Sequence, residues 1–186
     1  MSNVELLAFD PSRDAGLVAG WLRKPHVSRW WGDPEAQLRA VLERPVGGDD
    51  ALIAVDGTPV GYVRWQRVPR QELEAAGVLD VPDGAIDIDI AIGEEAFVGR
   101  GIGPAALARA VARIAEAGPP PMILMGTSVA NRSALRAFSK AGFRVMRELE
   151  DPGYGRFWLL RHDAGSPVAP EENAAGPSAA PYPPRS

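Results

Sequence analysis

The chain has no cysteine, so disulfides, thiolate nucleophiles and thiolate-bound metals are excluded. Its only histidines, His26 and His162, lie too far apart to form a metal-ligand spacing, and no metal is expected. No apolar run is long enough to cross a bilayer. The start Met1-Ser2-Asn3-Val4-Glu5 lacks the basic-then-apolar order of a secretory signal. A cytoplasmic protein with no membrane partner is therefore expected. Basic charge is also short: 20 Lys and Arg stand against 24 Asp and Glu, a net charge of −4. That balance disfavours nucleic acid, whose phosphates require clustered cations.

What is present suits one globular domain: 186 residues, 46% hydrophobic and 24% charged. The acids are unevenly placed. Residues 71–95 hold Glu72, Glu74, Asp80, Asp83, Asp87, Asp89, Glu94 and Glu95, with no Lys or Arg. Such a stretch is either a solvated acidic loop or a surface that attracts a cationic ligand.

The apolar pattern gives an α+β order. Val4 to Phe9 reads as a strand. Asp10-Pro11-Ser12 starts a helix carrying Leu17, Val18 and Trp21. Pro25 to Gly32 reads as a loop with His26, Trp30 and Trp31. Asp33-Pro34 opens a second helix. Leu52–Val55 and Val60–Trp65 form a hairpin about Asp56-Gly57. Residues 67–84 make a long connection with a helical piece at Gln71–Ala76. In Ala85 to Ile92, Ile86, Ile88, Ile90 and Ile92 share one strand face and Asp87 and Asp89 the other. A helix is expected from Pro104 to Ala117, a strand at Met122–Met125, and a helix from the cap Asn131 to Ala141. Phe143–Leu149 and Phe157–Leu160 close the order. The domain is expected over 1–163. Residues 164–186, rich in Pro, Ala, Gly and Ser, are expected to be a disordered tail.

The strongest local signal is Val98-Gly99-Arg100-Gly101-Ile102-Gly103-Pro104, between a strand and a helix. Closely spaced glycines let backbone approach a phosphate, and the helix behind directs free N–H groups at it. A P-loop ending is absent, and the spacing differs from a dinucleotide fingerprint. A glycine-rich turn with no ligand is the alternative.

This segment resembles the acetyl-CoA motif of the GNAT superfamily of N-acetyltransferases, with Gly101 and Gly103 at its two small positions and Val98 where Gln or Arg is usual. Asn131-Arg132-Ser133-Ala134 through Phe138-Ser139-Lys140-Ala141-Gly142-Phe143 resembles the family's second motif helix. Trp21-Leu22-Arg23-Lys24-Pro25-His26 to Trp30-Trp31-Gly32, with Ile88 to Glu95, is similar to the aminoglycoside 6′-N-acetyltransferase branch.

The resemblance implies a GNAT-like fold: a mixed, mostly antiparallel sheet flanked by helices and splayed around acetyl-CoA. It implies acetyl transfer to an amine of a cationic small molecule, first the 6′-amine of an aminoglycoside. The alternatives are a hydroxylysine-type amine used in siderophore assembly, a protein N-terminus, and a non-catalytic acyl-CoA-binding module. Asp89 is the expected base; Asp87, two residues away on the same face, is expected at the acceptor, where it either shares that job or holds another ammonium. Trp30, Trp31, Glu72, Glu74 and Tyr154 are expected around the acceptor. Ile90 and Ile92, the run Val98, Gly99, Arg100, Gly101, Ile102, Gly103 and Pro104, and Asn131, Ala134, Phe138 and Lys140 are expected at the cofactor. Phe138 replaces the usual Tyr proton donor, and Gly126 an acid of the aminoglycoside branch. A monomer or homodimer is expected.

Overall fold

The computed structural model describes residues 3–43, 47–151 and 155–162. Tyr154 and the 164–186 tail lie outside them. Seven strands form one sheet: β1 (Val4–Ala8), β2 (Asp49–Val55), β3 (Thr58–Arg67), β4 (Ile86–Ile92), β5 (Ile123–Ser128), β6 (Arg144–Asp151) and β7 (Gly155–His162). Their order is β1-β2-β3-β4-β5-β7-β6. All neighbours are antiparallel except β4 and β5. The helices are α1 (Pro11–Leu22), α2 (Pro25–Trp31), α3 (Pro34–Glu43), α4 (Arg70–Ala75), α5 (Ile102–Ala117) and α6 (Arg132–Lys140).

Local chemistry sets these boundaries. Asp10 accepts from Ser12 N–H at 2.9 Å and starts α1. Asp33 accepts from Ala36 N–H at 3.0 Å ahead of α3. Asp56 and Gly57 both take positive φ, 49° and 79°, the turn that suits the right-handed twist of a two-residue hairpin. Pro25 to Gly32 is not the expected loop but the helix α2. Pro25 at its first position presets φ, and Gly32 ends it at φ 82°. Likewise α5 begins at Ile102, ahead of Pro104, because Gly101 turns left-handed there and serves as the cap. In α1 the buried face is Val18, Trp21 and Leu22, while Leu17 is 40% exposed.

The sheet separates the apolar residues by strand alternation. On one face, Ala51, Ile53, Val63, Trp65, Ile86 and Ile88 pack with Leu107, Ala110 and Ile114 of α5 and Phe138 of α6. On the other, Leu52 and Tyr62 pack with Val18, Trp21, Val27 and Val41 of α1–α3. Farther along, Leu73 of α4 with Val78 and Val81 covers Leu124 and Leu159. Between these coverings lies the outer half of β4. Ile90 and Ile92 lean on the α5 side, while Ala91 packs with the α1–α3 cluster. Alternation therefore turns Asp87 and Asp89 toward the α1–α3 side, between α3 and α4.

Candidate active site

β4 and β5 pair through Ile86↔Ile123 and Asp87↔Leu124, whereas β4 pairs with β3 from Ile86 to Ile92. The sheet thus splays, and among the described residues the outer part of β4 has no strand partner on its β5 side. Ile86 N–H donates to Met122 O toward β5, and Gly93 N–H to Val60 O toward β3. By alternation the backbone groups of Ile90 and Ile92 face the splay. Their carbonyls accept from α2: Trp31 Nε1–H donates to Ile90 O at 3.3 Å, and His26 Nε2 lies 3.1 Å from Ile92 O. The N–H groups of Ile90 and Ile92 point into the same gap, as a site for an extended ligand requires.

Beyond the splay, a single 3-10 turn at Glu95–Phe97 leads into the glycine segment. Gly99 and Gly101 have φ of 77° and 81°, a region costly for L side chains. Gly103 differs. Its φ is not positive, and a Cβ there would meet nothing within 4 Å. Neither strain nor packing excludes a side chain, so this helix-weakening residue leaves room in front of the backbone. Gly101 caps α5 with no side-chain bond. The first-turn N–H groups of Ile102 and Gly103 are therefore free for an anion, aided by the helix dipole. Val98 is 46% exposed, and Arg100 lies 5.8 Å from the Phe97 ring. Pro104, with no N–H, sits inside the first turn. Together these residues make a backbone cradle suited to a pyrophosphate.

On α6, Asn131 Oδ1 accepts from Ala134 N–H at 3.1 Å, a helix cap. Ala134 packs against the core and Phe138 is buried in it. Lys140 is exposed in the last turn.

The acceptor side was only partly foreseen. Arg64 of β3 pairs in register with Asp89. Its Nε–H donates to Asp89 Oδ2 at 2.8 Å, and Nη2–H to Gln37 Oε1 of α3 at 3.3 Å. Its guanidinium lies 5.5 Å from the Trp31 ring. Asp87 faces both charges. Burial raises its pKa first, and repulsion from Asp89 and then Glu72 adds to that. Arg64 opposes the rise, and the result is about 8. Arg64 and Gln37 were missed in the sequence. The one signal was an arginine at the Tyr62 parity, inside the apolar run Val60–Trp65 of β3 and opposite an acid.

The other predicted acids scatter. Glu74 bonds Arg70 Nε–H at 3.0 Å, Asp83 lies 3.7 Å from Arg70, and Asp80 pairs with Arg147. Only Glu72 reaches Asp87 electrostatically. Trp31 joins the buried side beside Arg64, whereas Trp30 is 37% exposed with Arg29 at 5.8 Å. Gly126 is exposed on β5.

A splayed strand, a glycine cradle and a paired carboxylate site on one sheet correspond to a known family. Residues 10–151 match the acetyltransferase (GNAT) domain. The chain belongs to the GNAT acetyltransferase family. A sequence relative of this GNAT domain is the lysine N-acyltransferase MbtK of Mycobacterium sp. (strain MCS). It is 30% identical over 120 residues, 59% of this chain and 46% of the relative. The match thus spans about half of that relative's length. Among solved structures, an uncharacterized Bacillus halodurans protein superposes with TM-score 0.74 at 18% identity, covering 87% of this chain and 84% of its own. The aminoglycoside acetyltransferase AAC(6′)-Ib, in complex with paromomycin and acetyl-CoA, superposes with TM-score 0.68 at 21% identity, covering 90% and 99%. An aminoglycoside N(6′)-acetyltransferase of Legionella pneumophila gives 0.68 at 18% identity, covering 86% and 91%. At these identities the structural likeness speaks for the GNAT fold. Among the described residues, no helix is long and apolar enough to cross a membrane.

Proposed function

We propose that this GNAT domain transfers acetyl from acetyl-CoA to a primary amine of a cationic small molecule, with the Asp87–Asp89 pair handling the proton. The observation that carries the reading is the half-buried Asp87, sharing a face of the splayed strand with Asp89, where burial and repulsion from Asp89 push its pKa up to about 8. A base works best when its pKa lies near that of the acid it deprotonates, and alkylammonium groups titrate only somewhat higher.

Acetyl-CoA supplies the acetyl group as a thioester. Gly99, Gly101, Ile102 and Gly103 hold its pyrophosphate, with Val98, Arg100 and Pro104 shaping the turn and Asn131, Ala134, Phe138 and Lys140 forming the neighbouring helix. Ile90 and Ile92 offer N–H groups to the pantetheine arm and the thioester oxygen. The amine lone pair forms the new C–N bond, the C–S bond breaks, and the thiolate leaves. The amine's surplus proton passes to the Asp87 carboxylate. Asp89, the base expected from the sequence, stays in the pair. Bound to Arg64, it supplies the neighbouring negative charge that keeps Asp87 basic. Water is available to the leaving thiolate, so Phe138 in place of a hydroxyl donor does not stop the reaction.

Two acceptors are tested. The 6′-amine of an aminoglycoside is supported by structural neighbours with that activity. A lysine-type amine is supported by the sequence relative. It is favoured too by arginines that already engage Glu74, Asp83 and Asp80, leaving few acids for a polycation. The test is thiol release from acetyl-CoA with kanamycin-type aminoglycosides, a 6′-blocked analogue, lysine and N6-hydroxylysine. Release lost on blocking the 6′-amine selects the first acceptor. Release with lysine-type amines alone selects the second. Tight acetyl-CoA binding with no release across the panel rejects catalysis and leaves a binding module.

A further inference from the structure

The chemistry above uses Arg64 only as the partner of Asp89. Its side chain is 13% exposed, against 40% for Asp89. Three elements fix it: Asp89 of β4 at 2.8 Å, Gln37 of α3 at 3.3 Å, and the Trp31 ring of α2 at 5.5 Å. A guanidinium with two hydrogen-bond partners and an aromatic face against it is held rigidly. It sits on the carboxylate that an incoming ammonium would otherwise take.

We propose that Arg64 is the specificity-determining residue for acceptor charge, a built-in counter-cation on Asp89 that a one-ammonium acceptor leaves in place and a polycation must displace. This rests on the amine-acetylation reading above and narrows it. An acceptor presenting one ammonium to Asp87 meets a site already balanced beside it. A second ammonium must break the Arg64–Asp89 pair or lie beside a guanidinium, and like charges in a partly desolvated cleft repel. The charged and titratable groups facing this cluster are Asp87 and Asp89 of β4, Glu72 of α4, Arg64 itself and the Tyr62 hydroxyl on β3. Gln37 and Trp31 add no charge. Among the described residues, removing this cation therefore leaves the cluster more acidic.

The experiment compares wild type with Arg64→Met and Arg64→Gln, both neutral, and with Arg64→Lys, which keeps the charge. Cooperative thermal unfolding confirms that each folds, and Arg64→Gln retains a hydrogen-bonding group should the Met variant not. Binding of a kanamycin-type aminoglycoside and of Nα-acetyl-lysine methyl ester (one ammonium, no carboxylate) is followed by calorimetry with coenzyme A present. The neutral variants should bind the aminoglycoside roughly two- to fivefold more tightly, the range expected for a partly exposed ion pair. The monoamine should change by less than about twofold, and Arg64→Lys should match wild type. The neutral variants should also move the rising limb of the pH–rate profile to higher pH, since the Arg64 charge holds Asp87 down. Unchanged, weaker or absent aminoglycoside binding in a neutral variant overturns the proposal, as does an equal gain for both amines. Aminoglycoside binding that tightens without any thiol release would instead overturn the catalytic reading and leave the role of Arg64 standing.

Discussion

On the proposed reading, Asp87 couples function to stability through one proton. Its folded pKa, about 8, lies far above the unfolded value of 3.8. Between those values the folded protein keeps a proton that the unfolded chain releases. The stabilising contribution is complete below pH 3.8 and is lost as pH rises through about 8. Asp87→Asn cannot lose a proton, so it should raise the Tm, and more at alkaline than at acidic pH. Melting curves of both proteins across pH check this. A variant less stable than wild type at alkaline pH contradicts it. The same substitution should lower turnover about 100-fold or more, the usual weight of a general base. The alternation of isoleucine and aspartate was enough to predict the strand and the face of both acids. It did not show which acid is paired, because that depends on Arg64, 25 residues away in sequence and opposite only once β3 and β4 are in register.

Elements are positioned by a few close contacts. At the end of β4, a Cβ on Gly93 would lie 2.1 Å from Trp21 Cγ, so the indole of α1 rests directly on the backbone. Trp21 Nε1–H donates to Glu94 at 2.7 Å, and Lys24 to the same carboxylate at 2.8 Å. These bonds hold the Glu94 carboxyl below its ordinary pKa. They also fasten the corner that leads into α2, whose His26 and Trp31 line the splay. Glu94→Ala should therefore raise the KM for the amine several-fold while the Kd for acetyl-CoA stays close to wild type, as initial rates and calorimetry would show. An equal loss of both would mean that the corner supports the cofactor cradle as well. The sequence missed α2 because its seven residues end in two tryptophans between a proline and a glycine, a composition that reads as a loop. Contacts to β4 carbonyls dock it together with Val27 and Trp31, too short an apolar face to stand out in the sequence.

Two glycines of the cradle should respond with opposite signs. Gly103→Ala places a better helix former where nothing obstructs a Cβ, so stability should rise by up to about 1 kcal/mol while acetyl-CoA binds more weakly. Gly101→Ala forces an L residue to φ 81° and should cost roughly 1–2 kcal/mol as well as affinity. Denaturant titration and calorimetry separate the two effects. Weaker binding in neither variant would remove the cradle from the cofactor site. Asn131→Ala should lose about 1 kcal/mol from the lost helix cap.

The architecture as a whole follows from a sheet covered on both faces. One face is covered by α5 and α6. The other is covered by α1–α3 at one end and by α4 with its connection at the other. The gap in the second covering lies over Asp87 and Asp89, and the gap in the strand pairing lies beside Ile90 and Ile92. On the proposed reading, acceptor and thioester are thus brought to one strand from two directions. The glycine turn, both motif helices and the hairpin were legible in the sequence because each is fixed by neighbours in the chain. The expected acidic basin was not. Charge counted along residues 71–95 ignores the partners that folding supplies. Arg70 and Arg147 engage Glu74, Asp83 and Asp80, and Arg64 engages Asp89.

The most direct test of the account is the pH dependence of kcat/KM for thiol release from acetyl-CoA. It should be measured with two accepted amines of different basicity, on wild type and Asp87→Asn. The rate should rise with pH to a plateau, with a component near pH 8 common to both amines and absent from the variant. A profile that follows only the pKa of each amine, unchanged in Asp87→Asn, would contradict the assignment of the proton to the Asp87–Asp89 pair.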